Sequence, residues 1–459
     1  MDLYDLRQSV ELALEIIEND ATVVAAEVCA SWCEQQTVRV AHDADRPTDS
    51  VQAPQSSITF GIGILVVIED QAGRRVGVGS DGDDLSQEAI ILALEKAKAN
   101  AVTDADFKTL PAPPTSHPTS PDRHDPNVIA LQHDTMTRLG TEALNGALST
   151  LREADHFSAL QISGEIRSRT EHLMVGNTNG LLAGETTTGL LATIQCHLTS
   201  GQSQGTGSCS ATHLNDFTAY DAGAEAAEQA LRTLGGTTLA AATYAVVFGP
   251  AAVAALFEDL ILPALSLDTV AAGSSPFATH VGHQIANPLL TVTDDGSLPG
   301  LLGSHAITGE GLPTGATTLI DAGRLVGFLT DTYHAQKLAA QVGTIAPRNG
   351  RRVATNGQSF AMRPGIFPTN VTVASGEAET LEALLKPLAE GIYVDSLWYT
   401  YPQAGLHSGA FTSTVIGSSF HIHEGKLSQP LQPGTLHLND NFLDLLQRIT
   451  GLSTTQQVV

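Results

Sequence analysis

The sequence predicts an α+β protein in which a mixed α/β N-terminal domain is followed by a β-rich C-terminal domain. Three observations lead there. At 459 residues the chain exceeds one ordinary core, so two or three domains are expected. Up to about Gly236, segments with helical spacing of apolar residues alternate with runs of β-branched strand formers. Beyond it the texture turns to glycine-rich loops, short strands and few helical periods.

The first region, 1–102, opens with Leu6, Val10, Leu14 and Ile17 at the spacing of one helical face. Val23 to Trp32 and Thr37 to His42 read as two strands. Ile58 to Glu69 and Arg75 to Gly79 flank a turn at Gln71-Ala72-Gly73 and form a hairpin. Ser86 caps a helix running to Ala101, with Glu88 in the first turn where the helix dipole favours an acid. Residues 103–127 hold Pro111, Pro113, Pro114, Pro118, Pro121 and Pro126, a density that blocks helix and sheet alike and marks an extended connector.

The third region, 128–236, completes the N-terminal domain. It starts with a helix from Val128 to Ala154, interrupted near Gly140. Strands follow at Leu160 to Arg169, His172 to Gly176, Leu181 to Ala183 and Gly189 to Leu198, with a tight turn at Asn177-Thr178-Asn179-Gly180. An amphipathic helix from Ala219 to Leu234 stops at Gly235-Gly236. The last region, 237–459, has a strand at Tyr244 to Phe248 and a helix from Ala251 to about Leu265. A hairpin turns at Asp321-Ala322-Gly323, a short helix spans Thr380 to Ala389, and Gly409 to Pro430 alternates as an antiparallel pair turning at Glu424-Gly425. Asn439 to Ile449 closes the chain as a helix.

Composition excludes some functions. Forty-nine acids oppose 23 bases, giving a net charge of -26. A duplex-binding protein gains affinity by placing Lys and Arg on phosphates; this chain would repel them, so no nucleic-acid partner is expected. The acidity is read as solubility, or as a fit to a salty or crowded cytoplasm. Cys29 and Cys33 lie four apart, on one face of a strand, and with Cys196 and Cys209 are expected as reduced thiols, since neither a CxxC pair nor a disulfide framework exists. The N-terminus lacks the pattern of a signal peptide, and no apolar run approaches a membrane span. A cytoplasmic location without membrane contact is the expectation.

Zinc hydrolysis needs two histidines on neighbouring helical turns with a glutamate beside the bound water. His423-Glu424 is the one His-Glu dipeptide, and it sits at a turn; HExxH and HExxxH are absent. His280/His283 and His421/His423 could each bring two imidazoles together, but histidine is common on surfaces and loops, and that reading is preferred. Gly-x-Ser-x-Gly is absent, and Gly207-Ser208-Cys209 reads as loop. Gly201 to Gly207 lacks the lysine of a phosphate loop. His334 and Lys337, one helical turn apart after Asp331, read as a solvated helix face.

Two segments are candidates for binding without catalysis. Leu298 to Thr314 is a glycine-rich loop of the kind that covers a groove or packs at an interface, and it carries His305, Gly309, Glu310 and Gly311. Pro368, Thr369 and Asn370 lead into an extended run whose open edge could pair with a peptide backbone, unless its own chain or a partner covers it.

Taken in order, ITFGIGILVVIEDQAGRRVGVGS, the NTNG turn, YAVVFGPAAVAALFEDL, the long segment Asp294 to Leu338, PTNVTV and GAFTSTVIGSSFHIHEGKL resemble the TldD/PmbA family, also called the modulator-of-gyrase family. The similarity covers nearly the whole chain. It implies a heterodimer in which a TldD-like subunit carries HExxxH and zinc and cleaves peptides, while a PmbA/TldE-like subunit lacks the metal ligands and completes the substrate chamber. In this sequence the corresponding helix, Ala251 to Asp268, contains no histidine. Glu258 and Asp259 are there, but adjacent helix positions point about 100° apart. The resemblance therefore implies the PmbA/TldE-like branch, with no catalytic residue, metal ligand or cofactor in this chain, zinc in the partner, and a TldD-like metallopeptidase and a peptide as partners. Two other readings stay open: a stand-alone, homodimeric peptide-binding or scaffold protein, and an enzyme built on one of the histidine pairs.

Overall fold

A computed structural model describes residues 1–44, 50–71, 73–115, 119–154, 160–198 and 203–459. The fold is α+β in two parts. The N-terminal part is an antiparallel sheet ordered Val102–Thr103, Gly73–Gly82, Gln55–Asp70, Val23–Asp43, Leu160–Asn177, Leu182–Leu198 and Ser203–Ala211, with Ser50–Val51 paired to the central strand. All four longer helices lie on one face. Even-numbered residues of the central strand decide this, because side chains alternate along a strand. Ala26, Val28 and Ala30 pack with helices Leu3–Glu18 and Gln87–Ala99, whereas Val38 and Val40 pack with His133–Glu153 and Ala219–Arg232.

Several strands expected as separate pieces are continuous. Val23–Asp43 runs straight through Cys33-Glu34-Gln35-Gln36, Leu160–Asn177 through Thr170-Glu171, and Leu182–Leu198 through Glu185. The polar residues that looked like interruptions have partners: Gln36 donates to the Leu131 carbonyl, and Glu171 and Glu185 face the C-terminal part. Gly207-Ser208-Cys209 is strand rather than loop. An added Cβ at Gly205 or Gly207 would run into the Ala226 or Ala222 carbonyl, so these glycines let the Ala219–Arg232 helix sit directly on the backbone. Gly140 does not break its helix, which is continuous over His133–Glu153; a separate turn, Pro126–Ile129, precedes it. Ala72, Pro118 and residues 201–202 lie outside the described residues.

The connector is extended but not free. Phe107 and Leu110 pack on Leu65, Val67 and Val76, on the sheet face opposite the helices. Asn177 Nδ2 donates to the Pro111 carbonyl at 2.9 Å, which pins the connector to a strand end.

The C-terminal part is made of small sheets around one core. Arg324–Leu325, Ala316–Asp321, Val292–Asp295 and Val371–Val373 form one sheet; Lys426–Pro430, Phe420–His423, Glu390–Val394 and Ala245–Phe248 form another, its last pair parallel. Ser396–Pro402, Ala410–Ile416 and His437–Asn441 form a third. The antiparallel pair expected over Gly409 to Pro430 is thus divided between two sheets, and only Phe420–His423 with Lys426–Pro430 turns at Glu424-Gly425. Asn439 to Asn441 end a strand, and Asn441 caps the closing helix Phe442–Gln447. The helix expected from Ala251 is Pro250–Leu256, a π turn at Phe257–Ile261, then Leu262–Ala264. The wider turn precedes Pro263, which has no N–H to give an α-helical bond. Leu256, Leu260 and Ile261 from this helix meet Phe328, Phe411 and Phe442 in the core. Among the described residues no helix is long and apolar enough to cross a membrane.

Candidate functional site

The odd-numbered residues of the central strand face away from the helices and meet the C-terminal part through a buried polar layer. Ser31 Oγ accepts the Phe360 N–H at 3.0 Å. Glu171 receives Arg169 at 2.9 Å and the Ser359 hydroxyl. Beneath Phe360 the neighbouring strand Gln55–Asp70 carries Gly61 and Gly63; an added Cβ at Gly63 would run into the Phe360 carbonyl, and one at Gly61 into the Phe360 ring.

One strand step away, buried Arg352 pairs with buried Glu27 and also donates to the carbonyls of Gly309, at 2.8 Å, and Met362. The Gly309 N–H donates to the Gly350 carbonyl at 2.7 Å, and Gly311 sits at φ +78°, against Leu181. These two glycines carry the Glu310 side chain into the interior. Its carboxyl accepts the Thr332 N–H at 3.1 and 3.2 Å. Asp331 caps the helix Thr332–Lys337 by accepting the His334 N–H at 2.8 Å, and the same oxygen lies 2.8 Å from His334 Nδ1. Burial, reinforced by the Asp331 and Glu27 carboxylates, pushes the Glu310 carboxyl up to about 8, so it holds its proton at neutral pH. His334 is therefore not on a solvated face, and Lys337 reaches the connector through Asp106 at 2.8 Å.

A cleft of roughly 310 Å³ opens between this acidic wall and the connector. Leu65, Phe107, Leu110 and Pro111 form its apolar side. Tyr333 closes one end, donating to Asp104 at 3.1 Å, with the Arg363 guanidinium 5.7 Å from its ring centre.

His305 lies elsewhere in the same polar layer. Its Nδ1 donates to Glu185 at 2.6 Å, and its Nε2 accepts from Arg123 at 2.9 Å and Arg351 at 2.7 Å. Burial, helped by the two guanidiniums and opposed by Glu185, lowers the imidazole to about 4 and keeps it neutral. Pro368, Thr369 and Asn370 extend this network: the Pro368 carbonyl accepts from Arg351, the Thr369 N–H donates to Asp294 at 2.6 Å, and Asn370 Nδ2 donates to the Asp295 carbonyl at 2.8 Å. Val371–Val373 is the last strand of its sheet, and the Gln456 side chain donates to the Val373 carbonyl on its outer side. Of the residues put forward from the sequence as binding candidates, only Glu310 lines the cleft. Glu27, Asp331, Thr332 and His334 join it there without having been picked out as a group. The one local signal was Asp331-x-x-His334 before a short helix.

The histidine pairs do not make centres of their own. His280 and His283 stack edge to face at 6.3 Å, and His421 and His423 both clasp Glu390, at 2.8 and 2.6 Å. Among the described residues no group of three or more His, Cys, Asp or Glu side chains is arranged to hold a metal ion. On the helix Pro250–Ala264, Glu258 and Asp259 are exposed neighbours in the π turn, and neither has an imidazole beside it on that helix. Zinc does not fit that donor set.

Comparison with known proteins gives these features a context. Residues 241–459 match the family described as PmbA/TldA metallopeptidase C-terminal domain. The Metalloprotease TldD homolog of Haemophilus influenzae is 26% identical over 320 residues, 67% of this chain and 63% of that protein. The Buchnera aphidicola (Acyrthosiphon pisum) homologue is also 26% identical, over 68% of this chain and 64% of its own length. This chain thus spans less than two thirds of the length of either relative. Among solved structures, TldE from Thermococcus kodakarensis superposes with a TM-score of 0.80 at 21% identity, covering 98% of this chain and 95% of that one. A putative modulator of DNA gyrase from Bacteroides thetaiotaomicron gives 0.78 at 18%, over 98% and 93%. These two share the fold from end to end, and residues 241–459 are the part of the chain that matches the PmbA/TldA metallopeptidase C-terminal domain.

Proposed function

We propose that this chain is the metal-free, TldE-like subunit of a two-subunit peptidase, and that it helps a zinc-bearing, TldD-like partner to hold an extended peptide. The observation that carries the reading is the helix Pro250–Ala264. It lies in the family's C-terminal domain, yet it offers two diverging carboxylates where zinc hydrolysis needs imidazoles. Catalysis then belongs to the partner, and this chain contributes surface.

A suitable surface flanks that helix. Strand Ser396–Pro402 packs against it and exposes Trp398, Tyr399 and Tyr401, each at least half accessible. Tyr399 takes φ +56°, a conformation unfavourable for a bulky residue, and its ring meets Trp398 edge to face at 4.6 Å. Exposed aromatic clusters of this kind supply the anchors of protein interfaces. Co-expression with a TldD-like chain tests the reading. A complex should form and hydrolyse peptides faster than the partner alone, and Trp398→Ala with Tyr401→Ala should weaken it without lowering the melting temperature of this chain. Stoichiometric zinc in this chain alone, or no complex and unchanged peptidase activity, would sink it.

A further inference from the structure

We infer that the cleft between connector and C-terminal part binds a primary ammonium group carried on an apolar body, with Glu310, Asp331 and Thr332 as its three acceptors. The inference uses the peptide-handling reading only to name a source for that group.

The geometry carries it in three steps. First, Thr332 is 93% buried at the cleft wall, and its hydroxyl lies near the Glu310 carboxyl without reaching hydrogen-bond geometry to any group of the protein. A buried hydroxyl without a partner is destabilising, so a ligand that supplies one gains from it. Second, the wall beside it is anionic beyond its counter-ions. Arg352 is committed to Glu27, and Arg363 lies over Tyr333, which leaves Glu310 and Asp331 facing the cleft with only the His334 imidazole beside them. A proton on Glu310 relieves the surplus at neutral pH. An ammonium ion would relieve it with three N–H donors matched to three acceptors.

Third, the opposite wall selects the kind of cation. Leu65, Phe107, Leu110 and Pro111 offer methyl, methylene and ring surface, and the side-chain oxygens beside them are already engaged: Asp104 accepts from Tyr333 and from the Asp106 and Phe107 N–H groups, and the Thr109 hydroxyl donates to the Leu110 carbonyl. Calcium or magnesium takes six or more oxygens and would keep its water against such a wall. An alkyl ammonium places its chain there and its charge on Glu310, the usual division of a small-ligand pocket. A lysine side chain, a peptide N-terminus and a free alkylamine all carry this chemistry.

Isothermal titration of the full chain separates these sources from one another and from a metal. The probes are acetyl-Ala-Lys-Ala-amide, its norleucine analogue, Ala-Ala-Ala-amide with a free N-terminus, n-butylamine and calcium chloride. At least one amine should bind saturably and about tenfold or more tighter than the norleucine peptide, as expected for a charged buried hydrogen bond. Which amine does so names the source. Glu310→Gln should abolish the difference. Thr332→Val removes a partnerless hydroxyl, so it should leave the melting temperature unchanged or raised while weakening the amine severalfold; a purely structural Thr332 would not separate the two. Equal binding of the norleucine peptide, binding of calcium alone, no binding of any amine, or full amine binding by Glu310→Gln overturns the inference. These titrations use the chain alone, so failure to pair with a metallopeptidase would leave them untouched, and their failure would leave the pairing untouched.

Discussion

His305 Nδ1 lies 2.6 Å from Glu185 Oε1, so a loop of the C-terminal part is anchored on a strand of the N-terminal sheet. The bond has a pH dependence with a definite sign. His305 is held neutral, with its pKa lowered to about 4 from an ordinary 6.5, so between those values the unfolded chain binds more protons than the folded one. Its contribution is full above pH 6.5 and is lost as the pH falls towards 4. Glu185, held below the carboxylate range by His305 and the Ala306 N–H against the opposing effect of burial, adds to the same acid loss. His305→Gln keeps a donor and an acceptor but does not titrate. The advantage of the parent protein over this variant in urea unfolding should shrink by about 2 kcal/mol between pH 6.5 and 5. A constant difference would show that His305 is not kept neutral by the fold.

Glu310 titrates in the opposite sense across part of the same range, which is why each group has to be isolated by its own variant. Its folded pKa is raised to about 8 from 4.5, so the folded state holds a proton that the unfolded state has released. Stability is full below pH 4.5 and declines as the pH rises through 8. Glu310→Gln retains an oxygen for the Thr332 N–H and has no proton to lose. The variant should therefore gain on the parent as the pH rises from 5 to 8, by roughly 2–4 kcal/mol. Thermal melting at the two pH values checks this; a variant less stable than the parent at pH 8 would mean that Glu310 is ionised in the fold.

How much of this was readable from the sequence follows from where the signals lie. Leu6, Val10, Leu14 and Ile17 mark their helix because one stripe is apolar and faces the core, with only Leu14 half-buried. The long strands were cut short for the converse reason. Glu27, Ser31, Glu171 and Glu185 alternate into a polar layer shared with the C-terminal part, so their periodicity looks like turn chemistry until the second layer is known. The same holds for the cleft. Glu310 was reachable because it sits between two glycines in a loop of unusual texture. Its companion Glu27 lies 283 positions earlier, Asp331 looks like an ordinary helix cap, and nothing in the sequence sets Thr332 apart from any other threonine. Local pattern cannot encode such a juxtaposition.

The contact that brings these layers together should be sensitive to a single methyl group. At Gly63 an added Cβ would meet the carbonyl oxygen of Phe360, and that oxygen belongs to backbone whose neighbouring N–H is already bonded to Ser31. A side chain could rotate away; this segment has to lift off the sheet. Over-packing of that kind costs about 1–3 kcal/mol. Lifting Phe360 also strains the Ser359 bond to Glu171 and, through Arg352, the pairing with Glu27 at the edge of the cleft. Gly63→Ala should therefore lower the melting temperature and open residues 352–362 to limited proteolysis, while the helix-side core around Val28 and Ile64 stays protected from hydrogen exchange. Cleavage elsewhere first, or an unchanged melting temperature, would show that the C-terminal part does not rest on this glycine floor.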